Sequence, residues 1–202
     1  MARLLVYFAH PALHLSTVNV AMRRAAQQLD GFTFVDLYAE YPRFDIDVDK
    51  EQARLRDHDI IVFQFPFFWY STPSLIKEWQ DLVLEHGFAY GHGGEALAGK
   101  TMLLALTAAG PEEAYATEGY QHYPIRTFLT PLERTAGLCK MRFSAPYVMF
   151  GSLRAVGDDR LGPHVDGYVR LLTALRDDRL DLEAAAARDL LTPDTLPLSE
   201  DA

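Results

Sequence analysis

Ile60-Ile61-Val62-Phe63-Gln64-Phe65-Pro66-Phe67-Phe68-Trp69-Tyr70-Ser71-Thr72-Pro73 is the stretch that decides how this chain folds. Its first six residues are apolar except for Gln64. A run of that kind, closed by proline, predicts a strand buried on both faces, as a parallel sheet requires. Thr72 and Pro73 form a cap and first-turn pair for a helix. Leu75, Ile76, Trp79, Leu82 and Val83 then recur at helical spacing and give that helix a core face. Between strand and helix stand four consecutive aromatics, Phe67, Phe68, Trp69 and Tyr70. A core spreads its aromatics by periodicity. Four in a row at a strand end suit a flat ring system, or else a hydrophobic plug or a subunit interface.

The same unit repeats on either side. Arg3–Phe8, Phe32–Leu37, Thr101–Thr107 and Phe143–Phe150 read as four further buried strands. Ser16 caps a helix carrying Val18, Ala21, Met22, Ala25 and Leu29, and Gly31 stops it. Asp49–Asp57 reads as a short polar helix. Pro124 opens a helix with Ile125, Phe128, Leu129 and Leu132 on one side, and Pro131 should kink it. Val165, Tyr168, Val169 and Leu172 mark a last core helix. Past Asp178 the chain turns Ala-, Asp- and Pro-rich. The expectation is therefore one domain over residues 1–178, with a peripheral helix and a loose acidic tail over 179–202. Five buried strands alternating with helices predict an α/β doubly wound parallel sheet with helices on both faces. Ligands in such sheets bind beyond the carboxyl ends of the strands, which directs attention to Ala9–Ser16, Pro66–Thr72 and Ala108–His122.

Composition narrows the function classes. The chain has 202 residues, 49% of them hydrophobic and 23% charged, which is ordinary for a soluble globular domain. Nineteen Lys and Arg against 28 Asp and Glu give a net charge of −9, which argues against nucleic acid or an anionic membrane surface as partner. The single cysteine, Cys139, allows no internal disulfide and reads as a small buried hydrophobe in a reducing compartment. No apolar run approaches the roughly 18 residues of a membrane span, and the first residues lack the basic and small-residue signals of a secretory leader.

Several motifs speak mainly by failing. Gly94-Glu95-Ala96-Leu97-Ala98-Gly99-Lys100-Thr101 matches the phosphate-loop pattern, but a strand follows it where a helix is needed. Neither G-x-G-x-x-G nor G-x-S-x-G occurs where a dinucleotide fold or a hydrolase would carry it. His10 and His14 lack supporting carboxylates, so no metal site is expected. His10-Pro11 followed by Ser16-Thr17-Val18-Asn19 places hydroxyls, an amide and backbone N–H groups at a helix start. That is either an anion site or an ordinary N-cap.

The chain resembles the flavodoxin-like NAD(P)H:quinone oxidoreductase family, and within it the ancillary flavoprotein subunit of glutathione-regulated potassium efflux. The likeness rests on Phe65–Pro73 with Leu75–Trp79, on Gly87–Gly94 through Ala98-Gly99-Lys100, on Tyr7–Pro11 with Ser16–Asn19, and on Thr107–Gly110. It runs from about residue 3 to residue 150. It implies a flavodoxin-like five-stranded sheet in the order 2-1-3-4-5 and a bound FMN, or FAD as in longer relatives. It implies two-electron (hydride) reduction of quinones by NADPH or NADH through a ping-pong mechanism. His10, Ser16, Thr17, Val18 and Asn19 would hold the ribityl phosphate. Phe67, Phe68, Trp69 and Tyr70 would lie along the ring. Thr107, Ala108, Ala109 and Gly110 would offer backbone donors, in place of the family's Thr-Thr-Gly-Gly. Tyr115 and His122 would act together in proton transfer. Phe88, Tyr90 and His92 would reach the site across a homodimer. The resemblance also implies a cytoplasmic protein, or one held at the inner face of the membrane through a potassium-efflux transporter that it activates.

Overall fold

The computed structural model describes residues 1–199. Strands β1 (Leu4–Phe8), β2 (Phe32–Asp36), β3 (Ile60–Pro66), β4 (Thr101–Thr107), β5 (Arg142–Phe143) and β6 (Tyr147–Met149) form one parallel sheet in the order β2-β1-β3-β4-β5, with β6 also on β4. The expected fifth strand is thus present as two pieces on one neighbour. The break falls at Ser144-Ala145-Pro146, where Pro146 has no N–H for the ladder and the Ala145 N–H turns away to the Ala185 carbonyl at 3.3 Å.

Alternation along the strands sorts the core to two faces. Leu5, Tyr7, Ile61, Phe63, Phe65, Leu104 and Leu106 face α2 (Leu37–Glu40), α3 (Val48–Asp57), α4 (Ser74–Val83), α5 (Ile125–Phe128) and α6 (Thr130–Leu138). Leu4, Val6, Ile60, Val62, Leu103 and Ala105 face α1 (Thr17–Gln27) and α7 (Leu161–Arg176). The helix expected to kink at Pro131 is instead two helices that meet at Leu129. Pro131 sits in the first turn of α6, where its missing N–H costs nothing. On the first face a fully buried carboxylate, Glu51, accepts from Tyr7 Oη, from Tyr41 Oη at 2.6 Å, from Trp79 Nε1 at 3.0 Å and from Arg54. It pins β1, α3 and α4 together.

The chain past Asp178 departs from the expected loose tail. After α8 (Leu182–Ala186) it runs back along the sheet edge as a strap. Leu191 donates to the Pro146 carbonyl at 2.8 Å and accepts from the Val148 N–H at 3.2 Å. Leu180, Ala185 and Leu191 are buried. Gly167 in α7 makes this possible, because a Cβ there would stand 2.5 Å from Tyr147 Oη and 2.8 Å from Pro193. The end of the expected acidic tail, Glu200-Asp201-Ala202, lies outside the described residues. No described helix is long and apolar enough to cross a membrane.

Because β2 and β3 flank β1, the strand order reverses between β1 and β3. The crevice expected at that switch point lies between the loops leaving β1, β3 and β4 at their carboxyl ends.

Candidate functional site

The loop after β1 builds an end rich in free backbone amides. His10 is buried and its Nδ1 accepts the Ala12 N–H at 3.1 Å, which leaves Nε2 to carry the proton. Burial pushes its pKa below the ordinary histidine range, so the ring is neutral near pH 7. A short 3₁₀ turn, Leu13–Leu15, delivers the chain to Ser16, whose Oγ caps α1 by accepting the Asn19 N–H at 3.2 Å. The N–H groups of Thr17 and Val18 have no protein acceptor among the described residues. Two free amides at the start of an 11-residue helix form an anion cradle. Thr17 is exposed at its rim. The Val18 side chain packs into the core, so Val18 contributes only its backbone.

Asn19 is buried rather than open to the crevice. Its Nδ2 donates to Ser16 Oγ at 3.1 Å and to Thr107 Oγ1 at 2.8 Å, which ties the β1 and β4 loops together. Asn19 Oδ1 is buried without a protein partner.

The aromatic wall follows β3. The Phe67 N–H donates to the Thr107 carbonyl at 2.8 Å. Phe68 and Ser71 then exchange both backbone hydrogen bonds, at 3.2 and 3.0 Å, around Trp69 and Tyr70. Both of these residues have positive φ, +48° and +64°. This is the two-residue hairpin turn that Asn-Gly adopts most easily, here made from two bulky aromatics at a cost of about 1–2 kcal/mol each. Phe67 is buried, Phe68 and Tyr70 are half-exposed, and Trp69 is 92% exposed. Phe68 meets the His10 ring edge-on at 5.7 Å, so the wall abuts the anion end.

The loop after β4 gives fewer donors than the sequence promises. Ala108 is fully buried and its N–H is bonded to the Met149 carbonyl at 2.8 Å, so it offers the crevice no donor. Thr107 uses its carbonyl on Phe67 and its hydroxyl on Asn19. The N–H groups of Ala109 and Gly110 have no protein acceptor among the described residues. Gly110 carries the close approach at this loop, because a Cβ there would lie 3.0 Å from Tyr120 Oη and 3.1 Å from the Tyr115 ring.

Tyr115 joins the wall, with ring centroids 6.1 Å from Phe67, 6.1 Å from Phe128 and 5.4 Å from Phe150. Burial raises its phenol pKa, so it stays a proton donor. His122 lies exposed on a turn at φ +60°, and its ring makes no hydrogen bond among the described residues, while the neighbouring Gln121 N–H donates to the Ala114 carbonyl at 3.1 Å, next to Tyr115. Phe88, Tyr90 and His92 do not line this crevice within one chain. Phe88 is buried beneath Arg56 at 4.8 Å, beside the segment that leads into the start of β3. Tyr90 meets His86 edge-on at 5.6 Å, and His92 is exposed. Lys100 of the phosphate-loop look-alike bonds the carbonyls of Arg56 and His58 at that same amino end. Sequence reasoning missed Phe128, Phe150 and Tyr120 as neighbours of Tyr115. It also missed Gln64, which its polarity within β3 flags.

An anion cradle, an aromatic wall and two free amides at the switch point of a doubly wound sheet define a flavodoxin-like scaffold. The family model of the flavodoxin-like fold matches residues 2–169, and the chain belongs to that family. It is 44% identical over 171 residues to the glutathione-regulated potassium-efflux system ancillary protein KefG of Cronobacter sakazakii, covering 85% of this chain and 92% of that protein. Among solved structures it resembles a chain described as a thermophilic tryptophan halogenase from Streptomycin violaceusniger (42% identity, TM-score 0.79, covering 82% and 95% of the two chains). It also resembles general stress protein 14 from Treponema denticola, solved with FMN (35%, 0.77, 87% and 98%). An NADPH-quinone reductase from P. pentosaceus is similar as well (26%, 0.72, 84% and 96%). The named chemistries differ while the fold does not, so the site has to carry the functional conclusion.

Proposed function

We propose that this chain binds FMN and reduces a quinone or similar flat acceptor with two electrons from NAD(P)H. The observation that supports this reading is the placing of two pairs of free backbone N–H groups, Thr17/Val18 and Ala109/Gly110, on loops that flank one aromatic wall. The chain's residues fit the group. The α1 cradle suits a dianionic phosphate, the wall suits a flat ring, and Ala109 and Gly110 suit ring carbonyl oxygens. FMN bound there supplies the redox chemistry. The chain orients it, excludes water through Phe67 and Phe68, and offers the Tyr115 hydroxyl as a proton donor beside the acceptor. FMN is preferred to FAD because the solved Treponema denticola relative holds FMN. A donor and an acceptor that used the same face of the wall in turn would react in a ping-pong sequence. A homodimer that covers the exposed Phe68, Trp69 and Tyr70 would bring Phe88, Tyr90 and His92 of a second copy toward the site.

The test is an absorption spectrum of the purified protein, followed by heat release and chromatography of the coloured component. Bands near about 370 and 450 nm, release of FMN and bleaching by NADPH or NADH are expected. A colourless protein that takes up no added flavin would remove this reading. The name of the Cronobacter sakazakii relative supports a second reading, a regulatory subunit of a potassium-efflux transporter. Co-purification with such a transporter would favour it.

A further inference from the structure

Gln64 interrupts an otherwise apolar strand and is fully buried. A buried amide is tolerated when both its ends are bonded, and both are. Nε2 donates to the Asn19 carbonyl at 3.3 Å, and Oε1 accepts from Tyr168 Oη at 3.2 Å. The orientation is forced. A main-chain carbonyl only accepts, so it must face the NH₂ group. Tyr168, fully buried in α7 with its pKa raised by burial, stays protonated and donates. The Gln64 carbonyl also accepts the Ala9 N–H at 3.0 Å. One residue therefore grips the β1–α1 loop where it leaves the sheet and again in the first turn of the helix. Asn19 extends the chain of bonds to Ser16 and Thr107.

We infer that Gln64 is a positioning residue. The Tyr168–Gln64–Asn19 chain holds the first turn of α1 so that the Thr17 and Val18 amides converge on a phosphoryl group. Gln64 acts through α1, from the buried side of the sheet. The inference rests on the flavin reading for the identity of the ligand, and its test separates the two.

The experiment compares wild type, Gln64→Met and Tyr168→Phe. Dissociation constants are measured for FMN and for riboflavin, which lacks the phosphoryl group, together with the melting midpoint with and without inorganic phosphate. In Gln64→Met, FMN affinity is expected to fall about tenfold while riboflavin affinity holds. Tyr168→Phe should shift the same ratio in the same direction by less. A purely structural role would weaken both flavins together; that result, or an unchanged FMN-to-riboflavin ratio, overturns the inference. If wild type binds neither flavin, the flavin reading fails by itself and the phosphate arm decides. Protection of wild type but not of Gln64→Met supports the positioning role, and equal protection or none overturns it. If Gln64→Met does not fold, Tyr168→Phe, which removes a single hydroxyl, carries the same comparison.

Discussion

Tyr115 and His122 reach the sequence reading as a pair and leave the structure as two unlike residues. The Tyr115 phenol is held among Phe67, Phe128 and Phe150 with its proton retained. His122 is exposed on a turn, and its ring has no hydrogen-bond partner among the described residues. Tyr115→Phe is therefore expected to lower quinone turnover about tenfold to a hundredfold while FMN stays bound, and His122→Gln to lower it less. Steady-state rates on FMN-loaded protein read both. A larger loss in His122→Gln would reverse this order and put His122 at the reacting atoms. What was legible at this scale was whatever sits in a local string. His10, Ser16–Asn19, Phe67–Tyr70 and Thr107–Gly110 do gather at one end of the sheet. Their partners were not legible, because Asn19 meets Thr107 across 88 positions and Gln64 meets Tyr168 across 104. No local periodicity encodes such a contact. The silence of the Ala108 N–H is equally non-local, since it depends on where β6 lays the Met149 carbonyl.

The hairpin Phe68–Ser71 is the element where local preference and observed backbone disagree most. Trp69, 92% exposed at φ +48°, makes no packing contribution that would explain its conformation. Strain of this kind persists where a site uses it. Trp69→Asn, which accepts positive φ readily, should stabilise the flavin-free protein by about 1 kcal/mol in a denaturant titration and weaken FMN binding. Unchanged FMN affinity would remove Trp69 from the site. Other elements followed their strings closely. β4 occupies Thr101–Thr107 as read, because seven successive residues buried on both faces leave no alternative. The fifth strand and the Pro124 helix each came apart in two, both at positions where proline withdraws an N–H.

Across the whole molecule, stability at low pH depends on how the strap closes over α7. His164 is 3% exposed, stacked 4.5 Å from Tyr147, and burial pushes its pKa from 6.5 down to about 3. The unfolded chain takes up this proton near pH 6.5, whereas the folded chain holds it off until about pH 3. Between those values the unfolded state binds more protons, so stability falls as pH falls, by at most about 1.4 kcal/mol per pH unit. His164→Phe keeps a ring on Tyr147 and removes the titration. The difference in unfolding free energy between pH 7 and pH 5 should then shrink by up to about 2 kcal/mol in denaturant melts. Equal pH dependence in the two proteins would mean that the ring is solvated. The strap itself was not legible because its few apolar residues, Leu180, Ala185 and Leu191, follow no period. Two of them take their meaning from partners forty or more positions away, Leu191 from Tyr147 and Ala185 from Ala145.

The hairpin has a consequence for observing the molecule at work. The chain has two tryptophans. Trp79 lies 1% exposed beneath the sheet, bonded to Glu51, and Trp69 stands in water on the wall of the crevice. Their emission colours must differ, one blue-shifted and dry, the other red-shifted and open to quenching. The protein thus carries two intrinsic optical reporters on separate channels, one for the integrity of its interior and one for occupancy of its mouth.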